Sequence, residues 1–289
     1  MPDGEVSRSA PKSVLWIALG RQRVGKTTVL NAAVQYFRGR GCPIEVWNAD
    51  QQNRSHSLST FFGDALVPPP GGLVDGRLWI EERLMDQVRR RSHAVLDAGG
   101  GWTGFSSLVE DLPLVGVLGE QGIQAVGLFC VGPERADLDY LEHFASGGLF
   151  LPEATMIVLN AGLVLSGRSA GGAFSAVRQH PAFRAALEKG ARIAMMPPLG
   201  CMPEVTDRGL TFSDAADGKI KAGQEPLSIF DRPRVHRWWR LEMPDFFREF
   251  PDEWLPVSRD LTEAGAAEDT GCEGDEMVRS SGTAQTARS

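Results

Sequence analysis

Lysine is scarce in this 289-residue chain: only five of its thirty basic residues are lysine, and the other twenty-five are arginine. Cysteine is scarce too, with four residues and no CxxC pair, and the five histidines stand singly without metal-ligand spacing. These absences exclude a small disulfide scaffold and predict buried free thiols instead of disulfides or a metal site. The simplest interpretation of the arginine bias is a GC-rich genome, and the bias by itself indicates no function.

Long apolar runs are also missing. None approaches the roughly 20 residues of a membrane span, and residues 1–12 lack the basic start and apolar stretch of a signal peptide. The C-terminal tail is acidic and nearly devoid of large apolar residues, which argues against a membrane-targeting helix. We therefore expect a cytoplasmic protein that does not associate with membranes.

The net charge of −7 at first argues against a nucleic-acid-binding protein. Residues 258–289, however, hold seven acidic residues and three arginines and so carry −4 of that charge. The remaining body is nearly neutral, and DNA contact is not excluded. The Gly-, Ala-, Ser- and acid-rich composition of this segment predicts a disordered tail.

Apolar runs of strand length alternate with longer amphipathic stretches along residues 13–257. Such alternation indicates a three-layer α/β fold, with a mostly parallel sheet covered by helices on both faces. We expect a flexible extension over 1–12, one domain over 13–257 and the tail over 258–289. The predicted strands are Val14–Gly20, Pro43–Ala49, His93–Ala98, Gln124–Val131, Thr155–Asn160 and Ala191–Met196. The predicted helices are Lys26–Arg38, Gly76–Arg91, Arg135–Phe144, a stretch near Ala173–Lys189, and Arg234–Phe247 with an interruption at Pro244.

A phosphate-binding motif connects the first strand to the first helix. Residues 20–27 read GRQRVGKT and fit the pattern GxxxxGK[ST], between a predicted strand and a predicted helix. Glycines let successive backbone N–H groups point at phosphate oxygens, at the positive end of a helix. We expect Lys26 to reach the terminal phosphates and Thr27 to ligate Mg²⁺. The predicted nucleotide contacts in this segment are Gly20, Arg21, Gln22, Arg23, Val24, Gly25, Lys26, Thr27 and Thr28.

Residues 20–28 resemble the phosphate loop of the ParA/MinD group of ATPases, which typically reads GKGGxGKTT. The second half matches in full, whereas Arg21 stands where the group has its signature lysine, and Gln22 and Arg23 replace two glycines. In that group the signature lysine crosses a sandwich dimer to the partner's nucleotide. The resemblance implies that Arg21 stabilises transition-state charge across a dimer; the alternative is a phosphate contact within its own site.

Asp50 belongs to a second similar segment, in which residues 47–53 look like the group's DxDPQxN motif. Asp50 falls on the aspartate that orients the attacking water, while Asn48 and Gln51 replace the first aspartate and the proline. A water beside the γ-phosphate needs an acceptor to hold and polarise it. The alternative is that Asp50 caps the following helix.

Asp97 ends an apolar strand in the segment HAVLDAGGG, which resembles the group's Walker B strand and DxxG turn. A carboxylate there is costly unless it faces a cation, so we expect Asp97 to bind Mg²⁺ through water. Gly100 is placed to offer its N–H to the γ-phosphate. An ordinary strand-end turn is the alternative.

Two further positions carry weaker similarity. Asn160 ends a strand where the group often has a base-reading asparagine, and Pro198 lies near its second adenine-contacting segment. A strand-end asparagine is more often a turn residue.

Residues 232–240 read RPRVHRWWR and bring four arginines beside two tryptophans. Arg232, Arg234, Arg237 and Arg240 are candidate contacts to DNA phosphates. Adjacent tryptophans in a terminal helix more often pack in a core or an interface.

The resemblance implies a slow Mg-ATPase that acts as a nucleotide-dependent dimer switch, with a partner protein, in plasmid or DNA partitioning or transfer. No NKxD motif is present, which favours ATP over GTP. Two alternatives remain open: a P-loop kinase or ligase acting on a small molecule, and a nucleotide-binding interaction module without hydrolysis.

Overall fold

A computed structural model describes residues 12–50, 57–99, 103–165 and 167–257. Six strands form one sheet in which every paired neighbour is parallel, in the order β2-β3-β1-β4-β5-β6. This confirms the predicted α/β class. The strands are β1 Ser13–Leu19, β2 Ile44–Asn48, β3 His93–Asp97, β4 Ile123–Val131, β5 Thr155–Asn160 and β6 Arg192–Met196.

Strand β1 lies inside the sheet between β3 and β4, and all seven of its residues are buried. Alternate side chains of a strand point to opposite faces. Val14, Trp16 and Ala18 accordingly join one apolar core with α1 and the C-terminal helices, while Leu15 and Ile17 join a second core on the other face. Two cores on two faces give the expected three layers.

Helices surround the sheet in both layers. The longer ones are α1 Lys26–Arg38, α3 Leu73–Arg90, α4 Thr103–Asp111, α6 Asp139–Ser146 and α9 Pro181–Glu188. The shorter ones are α2 Leu58–Phe61, α5 Leu114–Glu120, α7 Ala170–Ala173, α8 Ser175–Arg178, α10 Met202–Thr206, α11 Phe212–Asp217, α12 Asp231–Arg237 and α13 Met243–Arg248. Single 3₁₀ turns span Arg135–Leu138, Ala161–Leu163 and Asp252–Trp254. No helix in these ranges is both long and apolar enough to cross a membrane.

Two predicted helices differ from the structure. The stretch near 173–189 is not one helix but α7, α8 and α9, the last of which begins at Pro181. The C-terminal helix is not interrupted at Pro244, because a π-helical segment over Trp238–Glu242 precedes that proline and joins α12 to α13. Proline has no N–H and so cannot donate the hydrogen bond of an α-helical turn. A π turn contains one more residue than an α turn, and this wider turn accommodates the proline without ending the helix.

The three described cysteines are buried free thiols, as the sequence predicts. Burial raises the pKa of Cys130 to about 12 and those of Cys42 and Cys201 to about 11. Such thiols stay protonated at neutral pH and behave as small apolar side chains. Cys272 lies outside the described residues.

Trp16 ties the central strand to the C-terminal end of the domain. Its ring stacks on Phe250 at 5.0 Å between centroids, and its indole Nε1–H donates to the Trp254 carbonyl at 2.8 Å. The residue is fully buried. A buried hydrogen bond between residues 238 positions apart therefore holds the chain after α13 against β1.

We expect Trp16→Phe to lower the free energy of unfolding by about 2 kcal/mol, because it shrinks a packed ring and leaves a buried carbonyl without its donor. Urea denaturation measures this. Trp79→Phe is the matched control, since Trp79 is also buried but makes no indole hydrogen bond within the part of the chain that the structure describes. Equal losses in the two variants would contradict a role for the Trp16–Trp254 bond.

Candidate functional site

The carboxyl ends of the parallel strands bring the predicted site residues to one edge of the sheet. The register pairs Ala18 of β1 with Asp97 of β3, and Asp97 with Asn48 of β2. The segment 20–25 follows β1 directly and opens α1 at Lys26. At this edge a parallel α/β sheet places its ligands.

Two glycines of the loop are required by its shape. Gly20 has φ +140° and Gly25 has φ +98°, backbone conformations that L-residues rarely adopt. A Cβ on Gly20 would lie 2.5 Å from the Cys130 carbonyl oxygen, and one on Gly25 would lie 2.3 Å from Asn160 Nδ2. The loop is therefore packed against the ends of β4 and β5.

Lys26 is buried under the loop. Its Nζ donates to the carbonyl oxygens of Gly20 at 3.0 Å and Arg21 at 2.7 Å. Burial lowers the pKa of this lysine, while Asp97, Cys130 and Asp50 act to raise it. The ammonium therefore lies within electrostatic reach of the two predicted acidic site residues.

Thr27 and Asp97 are joined by a short hydrogen bond. The Thr27 hydroxyl donates to Asp97 Oδ2 at 2.6 Å, and the Gly99 N–H donates to Asp97 Oδ1 at 3.2 Å. Burial of Asp97 raises its pKa; the Thr27 hydrogen bond, the Lys26 charge and the Gly99 N–H act to lower it, and the Asp50 charge acts to raise it. A fully buried carboxylate in this setting is suited to a neighbouring cation.

The donor set fits Mg²⁺. Because the Thr27 hydroxyl gives its proton to Asp97, its oxygen lone pairs are available for a metal. Both Asp97 oxygens already accept hydrogen bonds, which suits contact through water, and Mg²⁺ usually keeps several waters and takes the rest of its ligands from phosphates. Within the described ranges no three His, Cys, Asp or Glu side chains cluster as a metal cage.

Asp50 lies two residues beyond β2, against the turn that follows Asp97. A Cβ on Gly99 would lie 3.1 Å from the Asp50 carboxyl carbon. The Asp50 N–H donates to Asn48 Oδ1 at 3.3 Å, and Asn48 Nδ2 donates to Ser59 at 2.8 Å. Asn48, predicted only as a replacement for an acidic residue, thus holds the Asp50 backbone.

Arg21 is held within its own chain. Its Nη1 lies 3.3 Å from Asp137 Oδ1 and 3.8 Å from Glu134 Oε2. Asp137 is buried, and that burial raises its pKa. The contact was not foreseen from the sequence, where an acidic residue at a helix start is expected to complement the positive end of the helix dipole.

Gln22 and Arg23 lie exposed at the tip of the loop. Arg23 has φ +66°, so the loop keeps a left-handed residue where the related motif has glycine. Thr28 lies one residue beyond Thr27 on α1 and faces the cavity described next.

A cavity of about 580 Å³ lies beside the loop, at the ends of β5 and β6. It is lined by Arg23, Gly25, Thr27, Thr28, Asn31, Phe61, Asn160, Gly162, Leu163, Met196, Pro197, Leu199, Gly200, Met202, Pro203, Thr206 and Asp207. Its walls combine apolar side chains with polar and charged ones, as in a small-molecule site.

Asn160 and Pro198 take different positions relative to this cavity. Asn160 donates from Nδ2 to the Val24 carbonyl at 2.9 Å and accepts from the Gly162 N–H at 3.0 Å. It thus braces the 20–25 loop in addition to lining the cavity. Pro198 is exposed, and its neighbours Pro197 and Leu199 form the wall instead. Gly100 and Gln51 lie outside the described residues.

The four C-terminal arginines each have a partner within the domain. Arg234 pairs with Asp231, Arg237 with Glu242 and Arg240 with Asp217, while Arg232 donates to the carbonyls of Ala216 and Asp217. Trp238 and Trp239 are buried, and the Trp238 indole donates to the Pro197 carbonyl at 2.9 Å. The tryptophans therefore pack in the core, beside the wall of the cavity.

No protein-family model matches the chain, and no curated protein matches it in sequence. Among solved structures it is similar to the MinD cell division protein of Aquifex aeolicus, at 15% identity and a TM-score of 0.42 over 80% of this chain and 97% of MinD. It is also similar to the signal recognition particle receptor FtsY of Elizabethkingia anophelis in complex with GDP, at 15% identity and a TM-score of 0.41 over 66% of this chain and 60% of the receptor. A third is the signal recognition particle 54 kDa protein of Aeropyrum pernix K1 in complex with GDP, at 16% identity and a TM-score of 0.39 over 91% of this chain and 54% of that protein.

We expect Gly25→Ala to destabilise the domain more than Gly41→Ala. Both positions have positive φ, so both variants acquire backbone strain of about 1–3 kcal/mol, but Gly41 faces open space whereas a Cβ at Gly25 meets Asn160. Thermal unfolding of the two variants measures the difference. In a double-mutant cycle Asn160→Ala should reduce the extra cost at Gly25, and purely additive effects would contradict the steric explanation.

Proposed function

We propose that this protein binds Mg-ATP at the 20–27 loop and hydrolyses it slowly. The observation that carries the proposal is the hydrogen bond that the Thr27 hydroxyl donates to the buried Asp97 carboxylate. The preceding residue, Lys26, places its ammonium inside the loop between Gly20 and Gly25. Hydroxyl, carboxylate, lysine and helix N-terminus are the groups that a magnesium triphosphate requires.

Each group has one role in this proposal. The N–H groups of the loop and Lys26 neutralise the β- and γ-phosphates. Thr27 supplies an oxygen to Mg²⁺ and Asp97 orders its water. These contacts place the buried charges of Lys26 and Asp97 beside opposite charges, which is why ligand and metal are expected to bind together.

Asp50 is proposed to hold the attacking water. Its charge acts to raise the pKa of both Lys26 and Asp97, and its side chain packs on the turn after Asp97. The water attacks the γ-phosphorus, the bond to the β,γ-bridging oxygen breaks, and ADP and phosphate leave. Asp50 accepts a hydrogen bond from the water, and the proton ends on the released phosphate.

Arg21 is proposed to act as a switch element. Its side chain is 41% exposed and is bound to Asp137 and Glu134. To reach a phosphate in its own site or in a second protomer it has to leave these acids, and a bound triphosphate offers the stronger anion. We propose that this exchange accompanies an ATP-dependent dimer and the docking of a partner protein.

The four C-terminal arginines would have to exchange partners in order to contact DNA. Arg234, Arg237 and Arg240 already pair with acidic side chains, and Arg232 with backbone carbonyls, so a phosphate backbone would have to displace those partners. A role in plasmid or DNA partitioning, proposed from the loop resemblance, would require that exchange.

We expect Lys26→Ala to weaken Mg-ATP binding by about 100-fold or more, since it removes the charge facing the phosphates. Asp50→Ala should bind normally and lose about 100-fold in turnover. Isothermal titration and phosphate release measure the two effects. Lys12→Ala is the control, because Lys12 is exposed beside the amino end of β1, far from the loop.

Normal hydrolysis by Asp50→Ala would contradict the role of that residue. Tight binding by the unmodified protein without any phosphate release would favour the interaction module. Transfer of the γ-phosphoryl group to a metabolite in place of water would favour the kinase.

A further inference from the structure

A chain of hydrogen bonds runs from the first residue of α11 to two side chains of α1, and it begins at a backbone amide. The Phe212 N–H donates to Gln35 Oε1 at 2.7 Å. Gln35 Nε2 then donates to Asn31 Oδ1 at 2.6 Å. Asn31 is 1% exposed and lines the cavity beside the phosphate loop.

The backbone N–H at one end of this hydrogen-bond chain fixes the orientation of the side-chain amides of Gln35 and Asn31. A backbone N–H can only donate, so Gln35 has to turn its oxygen toward Phe212 and its nitrogen toward Asn31. Asn31 in turn has to present its oxygen to Gln35. The Asn31 amide nitrogen is then the group that remains for the cavity, and it makes no hydrogen bond to any of the residues that the structure describes.

Position along α1 indicates which part of a nucleotide this donor meets. Asn31 lies one turn beyond Thr27, about 6 Å further from the phosphate end of the helix. The cavity around it is walled by Phe61, Met196, Pro197 and Leu199, side chains that suit a flat apolar ring.

We propose that Asn31 donates from Nδ2 to a ring nitrogen of a purine base, and that Gln35 is a positioning residue that keeps the donor, not the oxygen, turned to the ligand. The inference rests on the proposed nucleotide site and deepens it. A base with an acceptor at this point is bound, and one with a C–H or N–H there is rejected, because the buried donor would be left unpaired.

Two substitutions reverse the polarity that the cavity presents. Asn31→Asp keeps the size of the side chain and the hydrogen bond that Gln35 donates to it, but places a carboxylate oxygen, an acceptor, toward the ligand. Gln35→Glu touches no nucleotide; its ionised carboxylate still accepts from Phe212, and Asn31 then has to flip its amide to donate to the second glutamate oxygen. At pH 8, where the glutamate is ionised, we expect each variant to bind Mg-ADP at least tenfold more weakly than the unmodified protein.

The controls separate folding and phosphate binding from base recognition. Both variants should unfold at the same temperature as the unmodified protein within a few degrees, and both should bind Mg-tripolyphosphate as it does, whereas Lys26→Ala should lose both ligands. Gln35→Met removes the hydrogen bond that orients Asn31 without imposing the reverse orientation. Its affinity for Mg-ADP should therefore fall less than that of Gln35→Glu.

The 1-, 3- and 7-deaza analogues of ADP, each lacking one ring nitrogen, identify the acceptor. The unmodified protein should bind one of them at least tenfold more weakly than ADP, and both reversed variants should bind that analogue and ADP equally. Normal ADP binding by Asn31→Asp or Gln35→Glu, or equal binding of all analogues by the unmodified protein, would overturn the inference. Failure of the unmodified protein to bind any Mg-nucleotide would instead overturn the proposed nucleotide site.

Discussion

The contact between Thr27 and Asp97 sets the conditions for the rest of the site. A carboxylate fully buried at the end of an apolar strand is stable only with strong partners, and here these are a hydroxyl, a backbone N–H and the charge of Lys26. Those partners are available because β1 and β3 are neighbours in register, so that the loop after one strand faces the end of the other. The sheet order thus decides which side chains meet, and the glycines decide how closely.

Much of this arrangement is readable in the sequence. Apolar runs of strand length predict all six strands within a residue or two, since a strand buried on both faces needs apolar residues throughout. The loop motif predicts Lys26 and Thr27, because glycine spacing and the following helix leave few other conformations. Asp97 is predicted by the cost of a carboxylate after an apolar strand.

Other features depend on contacts between distant segments, which local pattern does not encode. Asp137 meets Arg21 only because β4 lies beside β1. Asn31 and Gln35 look like ordinary polar positions of an amphipathic helix until the N–H of Phe212 is placed beside them. The short helices over 170–188 follow from packing and from Pro181, where helical periodicity alone suggests one continuous helix.

Because of the π-helical segment over 238–242, the packing of the C-terminal helices depends on the number of residues in that segment as well as on their side chains. One additional residue in a turn rotates everything after it by about 100° relative to an α-helix. Phe246 and Phe247 therefore reach the same core as Val235 and Trp238 only because that residue is present. Deleting a single residue from this segment would leave the helix able to form but would turn its second half toward a different neighbour. The helix therefore tolerates substitutions more readily than the insertion or deletion of a residue.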